Sequence, residues 1–176
     1  MNKSVLFSEI KLDTDQQAVA VRVSANKFLS VCNVYLPPSL DVNLSDLQHL
    51  VEQLPAPFVL IGDFNADSPL WGDVMQDSRG QMVEKFLNDY NLCLLNTGEP
   101  SYRHRSHHSV SVPDISLQDP SLALEFDWLT HNDLCGSDHF QVILETSVRD
   151  DEPAAEHWKF DRADWMSFRT VCVAVV

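Results

Sequence analysis

The sequence predicts a layered α/β fold. Short apolar runs of strand length recur along the chain, some alternating with polar residues and some continuous. Two stretches with apolar residues at helical spacing separate them, each opened by a Ser with a Gln three residues later. Polar residues begin abruptly where the apolar runs stop, as they do in the loops of such folds.

Val19, Val21 and Val23 alternate with Ala18, Ala20 and Arg22, which predicts a strand over 18–23. Ser24-Ala25-Asn26-Lys27 is a turn, and Phe28 to Tyr35 resumes as a second strand of the same hairpin. Pro37-Pro38 ends it, because proline has no N–H to give to a ladder. Ser45 and Gln48 form the first capping box, and Leu47, Leu50, Val51 and Leu54 share a helical face that Pro55 and Pro57 terminate. Phe58-Val59-Leu60-Ile61 is continuously apolar, the mark of a strand covered on both faces, and it stops at Gly62. Ser78 and Gln81 form the second box, opening a helix with the stripe Val83, Phe86, Leu87 and Tyr90. Leu92 to Leu95, Asp114 to Leu117, Phe126 to Thr130 and Phe140 to Ser147 complete the strands. Trp71 and Trp128 read as core or loop anchors. Arg149 to Glu156 is acidic, carries a proline and reads as a linker.

Composition narrows the class. The chain has 176 residues, 44% of them hydrophobic, with four Trp and nine Phe to build a core. Its 26 acidic residues against 12 Lys and Arg give a net charge of −14, which excludes a grip on nucleic acid by bulk positive charge. Any contact with phosphates then needs a local site and a cation. Cys32, Cys93, Cys135 and Cys172 show no C-x-x-C pairing and read as reduced thiols, three of them packed in or beside apolar runs. No secretory h-region opens the sequence, and no run approaches the ~18 apolar residues of a membrane span. The expectation is an intracellular protein of nucleus or cytoplasm, not secreted and with no membrane partner.

Candidate chemistry sits at strand ends, where α/β sheets bind their ligands. Gly62-Asp63-Phe64-Asn65 leaves a buried strand, so Asp63 is either a hard oxygen ligand or base, with Asn65 on the same side, or part of an Asx-type turn. Gly136-Ser137-Asp138-His139 precedes the last strand and offers a carboxylate and an imidazole to two parts of one site, or else an exposed turn. Asp114 opens a short strand and is either a third site residue or a cap; Tyr35 closes its strand as a fourth candidate or as packing. Arg103-His104-Arg105 belongs to the only basic-looking patch, and a zinc site there is unsupported by any Cys or Glu.

Taken in order, these residues resemble a known family. Tyr35-Leu36-Pro37-Pro38, Ile61-Gly62-Asp63-Phe64-Asn65-Ala66, Pro69-Leu70-Trp71-Gly72, Asp77-Ser78-Arg79-Gly80, Leu95-Asn96-Thr97-Gly98-Glu99-Pro100 and Gly136-Ser137-Asp138-His139-Phe140 are similar to the endonuclease/exonuclease/phosphatase superfamily. More narrowly, P-L-W-G and D-S-R-G resemble the endonuclease domain of non-LTR (LINE-type) retrotransposons. The resemblance runs from about residue 18 to 146. It implies the DNase I-like fold, a four-layer α/β/β/α sandwich present here in part over 1–147, with 148–176 an acidic linker and connector. It implies Mg²⁺-dependent (or Mn²⁺-dependent) phosphodiester hydrolysis that nicks a DNA target-site duplex, with a reverse transcriptase domain fused downstream.

Residue by residue, the resemblance assigns Asp63 to activating water and Asn65 to holding phosphate or metal. His139 donates to a phosphate oxygen, Asp114 orients that imidazole, and Tyr35 contacts the phosphate. Asp63, Asn65 and Asp138 are the implied metal ligands, and Arg103 and Arg105 fall where the family places a target-reading hairpin. The family's opening strand, and the later strand ending in Gln-Glu, have no counterpart in this sequence. Residues 1–17 therefore read as starting inside the domain, with impaired cleavage as the expectation. A catalytically dead transposon-derived fragment, or another phosphodiesterase of the superfamily, is the alternative.

Overall fold

Val19, Val21 and Val23 share one face of β2 (Gln17–Ser24), which forms the expected antiparallel hairpin with β3 (Phe28–Tyr35), Val21 lying opposite Val31. In this computed structural model, residues 5–24, 27–106 and 109–146 are described. The expected linker and connector at 148–176, and Cys172, lie outside the described residues. A further strand, β1 (Leu6–Ile10), pairs antiparallel with β2 at the sheet edge. It left no sequence pattern because its residues are largely exposed, so no face of it had to be apolar.

Helix α1 (Leu44–Glu52) follows β3, and α2 (Ser78–Asp89) follows β4 (Phe58–Asp63). Neither helix starts on the expected Ser-Gln box: α1 is capped by Asn43 in a box with Asp46, and α2 by Asp77. The Asn43 N–H donates to Asp46 Oδ2 at 2.9 Å, and Asp77 Oδ1 accepts from Gly80 N at 2.6 Å. A carboxylate is the stronger acceptor at the positive end of a helix, so Asp46 takes the place expected of Gln48 and Asp77 the place expected of Ser78. The predicted stripes do turn inward: Leu47, Leu50 and Val51 from α1 and Val83, Phe86 and Leu87 from α2 are buried against Ala20, Cys32, Val34, Leu60 and Leu117.

The main sheet has six strands in the order β1-β2-β3-β4-β8-β5, with β5 at Cys93–Leu94 and β8 at Asp114–Gln118. Only β3 and β4 run parallel, because α1 crosses between them; β8 pairs antiparallel with both β4 and β5. Two small hairpins complete the fold: β6 (Tyr102–Arg103) with β7 (Val110–Ser111), and β9 (Phe126–Thr130) with β10 (Val142–Thr146). The β9–β10 pair lies over the face of the sheet opposite the helices, where the Trp128 indole N–H donates to Ser116 Oγ at 3.0 Å. Between them is a cavity of about 440 Å³ lined by Val31, Val59, Ile61, Phe126, Val142 and Leu144. Trp71 and Trp128 are both buried, as read from the sequence. Cys32 is buried too, and burial pushes its thiol up to about 12, which leaves it inert; Cys93 is half-buried, and Cys135, which lies in no apolar run, is exposed.

No helix among the described residues is long and apolar enough to cross a membrane. One residue fixes how closely the central strands approach. Gly62 has φ +148°, and a Cβ on it would sit 1.8 Å from the Val34 carbonyl oxygen. Gly62→Ala is expected to cost more than about 4 kcal/mol and to abolish cooperative thermal unfolding. A variant melting within a few degrees of the parent would contradict this pairing of β3 and β4.

Candidate active site

Register builds the site. Tyr35 pairs with Asp63 across the parallel β3–β4 ladder, and Asp63 pairs with Asp114 across β4–β8. Three neighbouring strands therefore place Tyr35, Asp63 and Asp114 side by side at one end of the sheet. The ladders continue just beyond it: Leu36 N donates to Asp63 O and Phe64 N to Pro113 O, both at 2.9 Å. Asn65 follows in the left-handed region at φ 48°, its N–H donating to Asp63 Oδ1 at 3.1 Å and its Nδ2 to the Leu36 carbonyl at 3.2 Å. The Asx turn and the functional reading of this segment are thus the same structure.

His139 arrives from the distant loop before β10. Its backbone bridges Tyr102, Arg103 N donates to Asp138 O, and Phe140 N donates to Ser101 O, the last two at 2.8 Å. The last strand therefore starts at Val142 rather than Phe140, because residues 138–140 pair with β6 instead. This places His139 Nδ1 2.8 Å from Asp114 Oδ2, and the Tyr102 ring packs edge-on against the imidazole with centroids 4.8 Å apart. Nε2 is left as the nitrogen that can face a ligand.

An open cleft of about 780 Å³ covers this end of the sheet, lined by Tyr35, Asp63, Asn65, Asp138 and His139 among others. Asp114 supports the imidazole from behind. Asp138 also forms an ion pair with Arg105, Nε to Oδ2 at 3.4 Å. Neither expected arginine lines the cleft: Arg105 is held by Asp138, and Arg103 stacks on Phe140 at 5.5 Å from the ring centroid.

Asp63 is a perturbed acid of the cleft, as are Asp67 and Asp73 farther along its wall, whose carboxyls burial also raises. Burial raises the Asp63 pKa above the ordinary 3.8, the neighbouring Asp114 charge raises it further, and His139 and the Asn65 hydrogen bonds act in the opposite direction. The donor set is all oxygen. Among the described residues no group of three or more His, Cys, Asp or Glu side chains converges as a metal cage. One or two carboxylates with an amide oxygen, open to water, is the arrangement that suits Mg²⁺.

Several supporting residues were not identified as such from the sequence. Asn96 bridges into β8, its Oδ1 accepting from Ser116 N and its Nδ2 donating to the Asp114 carbonyl, both at 2.8 Å. Ser101 Oγ accepts from Asp114 N at 3.2 Å. Arg79 donates to the carbonyls of Leu36 and Phe64 at 3.2 Å and of Pro37 at 3.1 Å, tying the segment after β3 to the segment after β4. Gly72 and Gly98 meet so closely that a Cβ on Gly72 would lie 2.7 Å from Gly98 Cα. The signal for Asn96, Arg79, Gly72 and Gly98 was membership in the motifs D-S-R-G, N-T-G-E and P-L-W-G; Ser101 lies in none of them.

A family model described as endonuclease-reverse transcriptase matches residues 29–143, which includes every one of these site residues. The chain belongs to this family. Among curated relatives, the RNA-directed DNA polymerase from mobile element jockey of Drosophila melanogaster is 31% identical over 74 residues, covering 42% of this chain. The probable RNA-directed DNA polymerase from transposon X-element of the same organism is 26% identical over 130 residues, covering 73%. The matches span only 8% and 14% of those proteins. The solved endonuclease domain of TRAS1, a telomere-specific non-LTR retrotransposon, superposes with TM-score 0.72 at 20% identity, covering 83% of this chain and 69% of that one. The observed α/β architecture is thus the DNase I-like one that the motifs implied.

The raised pKa of Asp63 has a consequence for stability. The folded state holds the Asp63 proton more tightly than the unfolded state, so stability falls as pH rises from 3.8 through the raised folded value, and stays lower above it. With divalent cations chelated, Asp63→Asn is expected to melt above the parent at pH 7, the gap closing as pH is lowered toward 4. A variant less stable than the parent at pH 7 would show that the ionised carboxylate is well accommodated.

Proposed function

We propose that this retrotransposon endonuclease-like chain hydrolyses phosphodiester bonds in duplex DNA, leaving a nick with a free 3′-hydroxyl. The observation that carries the reading is the Asp114–His139 pair at 2.8 Å, set beside Asp63 at the floor of one open cleft. A phosphodiester needs a base for the attacking water and a fixed donor where negative charge builds on phosphorus-bound oxygen. Asp63, ionised, takes the proton from water. Its raised pKa makes it a better base than an ordinary aspartate.

His139 donates from Nε2 to a non-bridging oxygen, while Asp114 accepts from Nδ1–H and so fixes both tautomer and ring direction. Asn65, held by Leu36 and Asp63, and Tyr35, at the adjoining strand end, contact the phosphate. Mg²⁺ or Mn²⁺ is the proposed cofactor, held by Asp63 with Asn65 and Asp138, and supplies Lewis-acid stabilisation of the phosphate charge. Arg103 and Arg105 lie outside the cleft walls, so their part in this reading is contact with flanking DNA. A reverse transcriptase in the same polyprotein, as the names of the curated relatives suggest, is the proposed user of the 3′-hydroxyl.

The test is nicking of supercoiled plasmid with and without Mg²⁺. Asp63→Ala and His139→Ala are each expected to lower the rate by about 10²–10³-fold or more. Nicking that survives both substitutions sinks the assignment of residues. A parent that never nicks leaves the non-enzymatic, transposon-derived reading in its place.

A further inference from the structure

The segment between Trp71 and α2 takes no part in the proposed chemistry, yet it forms one wall of the same cleft. At its tip, Val74 is 91% exposed and Met75 is 72% exposed. Single exposed apolar side chains are ordinary on a protein surface. Here two are consecutive, and the backbone beneath them is tied down on both sides. Before the tip, the fully buried Trp71 donates its indole N–H to the Ala66 carbonyl at 2.9 Å, and Asp73 N donates to Ser68 O at 3.1 Å. Asp73 Oδ1 in turn accepts from Val112 N at 3.0 Å. After the tip, Asp77 N donates to Asp67 O and Asp77 Oδ1 accepts from Asp67 N, both at 3.1 Å, while the same carboxylate caps α2. Anchored in this way, the tip is not placed to fold back and bury its two side chains.

What the loop shows a ligand follows from its composition. Gly72-Asp73-Val74-Met75-Gln76-Asp77 has no cation. Both of its acids are hydrogen-bonded to the protein's own backbone. The loop therefore has no charge to offer a phosphate, and at its tip it presents apolar surface. In a chain of net charge −14, contacts that do not rely on positive charge carry more of the grip on a duplex. Apolar side chains inserted between base steps are a recurrent way of making such contacts, at the cost of partial unstacking.

We propose that Val74 and Met75 form an apolar wedge that enters between base pairs of the duplex seated in the cleft, opening it next to the bond presented to Asp63 and His139. This rests on the reading of the cleft as a DNA site, but not on cleavage. The wedge favours pyrimidine–purine steps, which unstack most easily, and so contributes to the choice of nicking site without a hydrogen bond to any base.

The test is fluorescence titration of short duplexes carrying 2-aminopurine at a TA step, in Ca²⁺ buffer, with the parent chain and with the double variant Val74→Ser, Met75→Ser. The parent is expected to raise 2-aminopurine emission on binding. The double variant is expected to bind about ten-fold more weakly, a loss of one apolar or stacking contact's size, and to give no rise. Its slope of log affinity against log salt is expected to match the parent's, because no phosphate contact is removed. Met75→Leu, apolar and of similar volume, is expected to keep the emission rise, and thermal midpoints are expected to be unchanged because neither side chain belongs to the core. No emission rise with the parent, an equal rise with the double variant, or a shallower salt slope would each overturn the proposal. The same chain on plasmid separates this result from the hydrolase reading: emission without nicking leaves the wedge and removes the enzyme, and nicking without emission does the reverse.

Discussion

Two carboxylates side by side at the end of a sheet form the constraint around which this structure is arranged. Asp63 and Asp114 are register partners on adjacent strands, and the Asp114 charge adds to burial in making Asp63 harder to ionise. The fold offsets that repulsion in two ways. His139 is brought to Asp114 from far along the chain, and Asn65 folds back to donate its N–H to Asp63. The register itself depends on Gly62, since a side chain there would collide with the β3 backbone and push the strand ends apart. Remove either the pairing or the glycine and the site residues no longer share a floor.

Much of what reads as motif is scaffold for that floor. Arg79 serves backbone carbonyls on the segments that follow β3 and β4, so it acts as a tie between strand exits rather than as a phosphate clamp. Asn96 takes the place of a strand neighbour for the start of β8 and so fixes Asp114. Ser101 and Tyr102 hold the His139 segment against β6. In each case a polar side chain satisfies backbone groups that a loop would otherwise leave unpaired near a cleft. Strand register sets Asp63 and Asp114, and these neighbours hold His139, which comes from a loop, against them.

The charge of the chain also takes on a local meaning. A net −14 sets the whole molecule against a polyanion, so the proposed recognition of DNA has to be concentrated in a few places. The proposed ones are the cation site, the donor nitrogen of His139 and the apolar tip at Val74 and Met75. The two arginines that looked like the positive contribution are partly spent within the protein, Arg105 on Asp138 and Arg103 on Phe140.

Most of the fold was legible because it rests on local patterning. The stripes of α1 and α2, the alternation of β2 and the continuous apolar run of β4 each state which face is buried, and the core follows them. The acidic motifs also named the residues that meet in the cleft, because G-D-F-N and S-D-H each join a turn to a strand boundary. Less was legible where the partner is remote. The edge strand β1 carries no apolar face to announce it, and the helix starts were misread by one or two residues because neighbouring carboxylates compete with glutamine for the cap. That Arg103 stacks and Arg105 pairs, leaving both outside the cleft walls, depends on Phe140 and Asp138, more than thirty residues away in the chain. The sequence by itself determined both helices, the long strands, their buried faces and the chemical identity of the candidate site residues, since these follow from periodicity and side-chain type. Only the tertiary structure decided that His139 reaches Asp114, that burial and the Asp114 charge make Asp63 resist ionisation, and that Val74 and Met75 stand over the cleft. Those are facts of distance and desolvation between residues that no local pattern brings together.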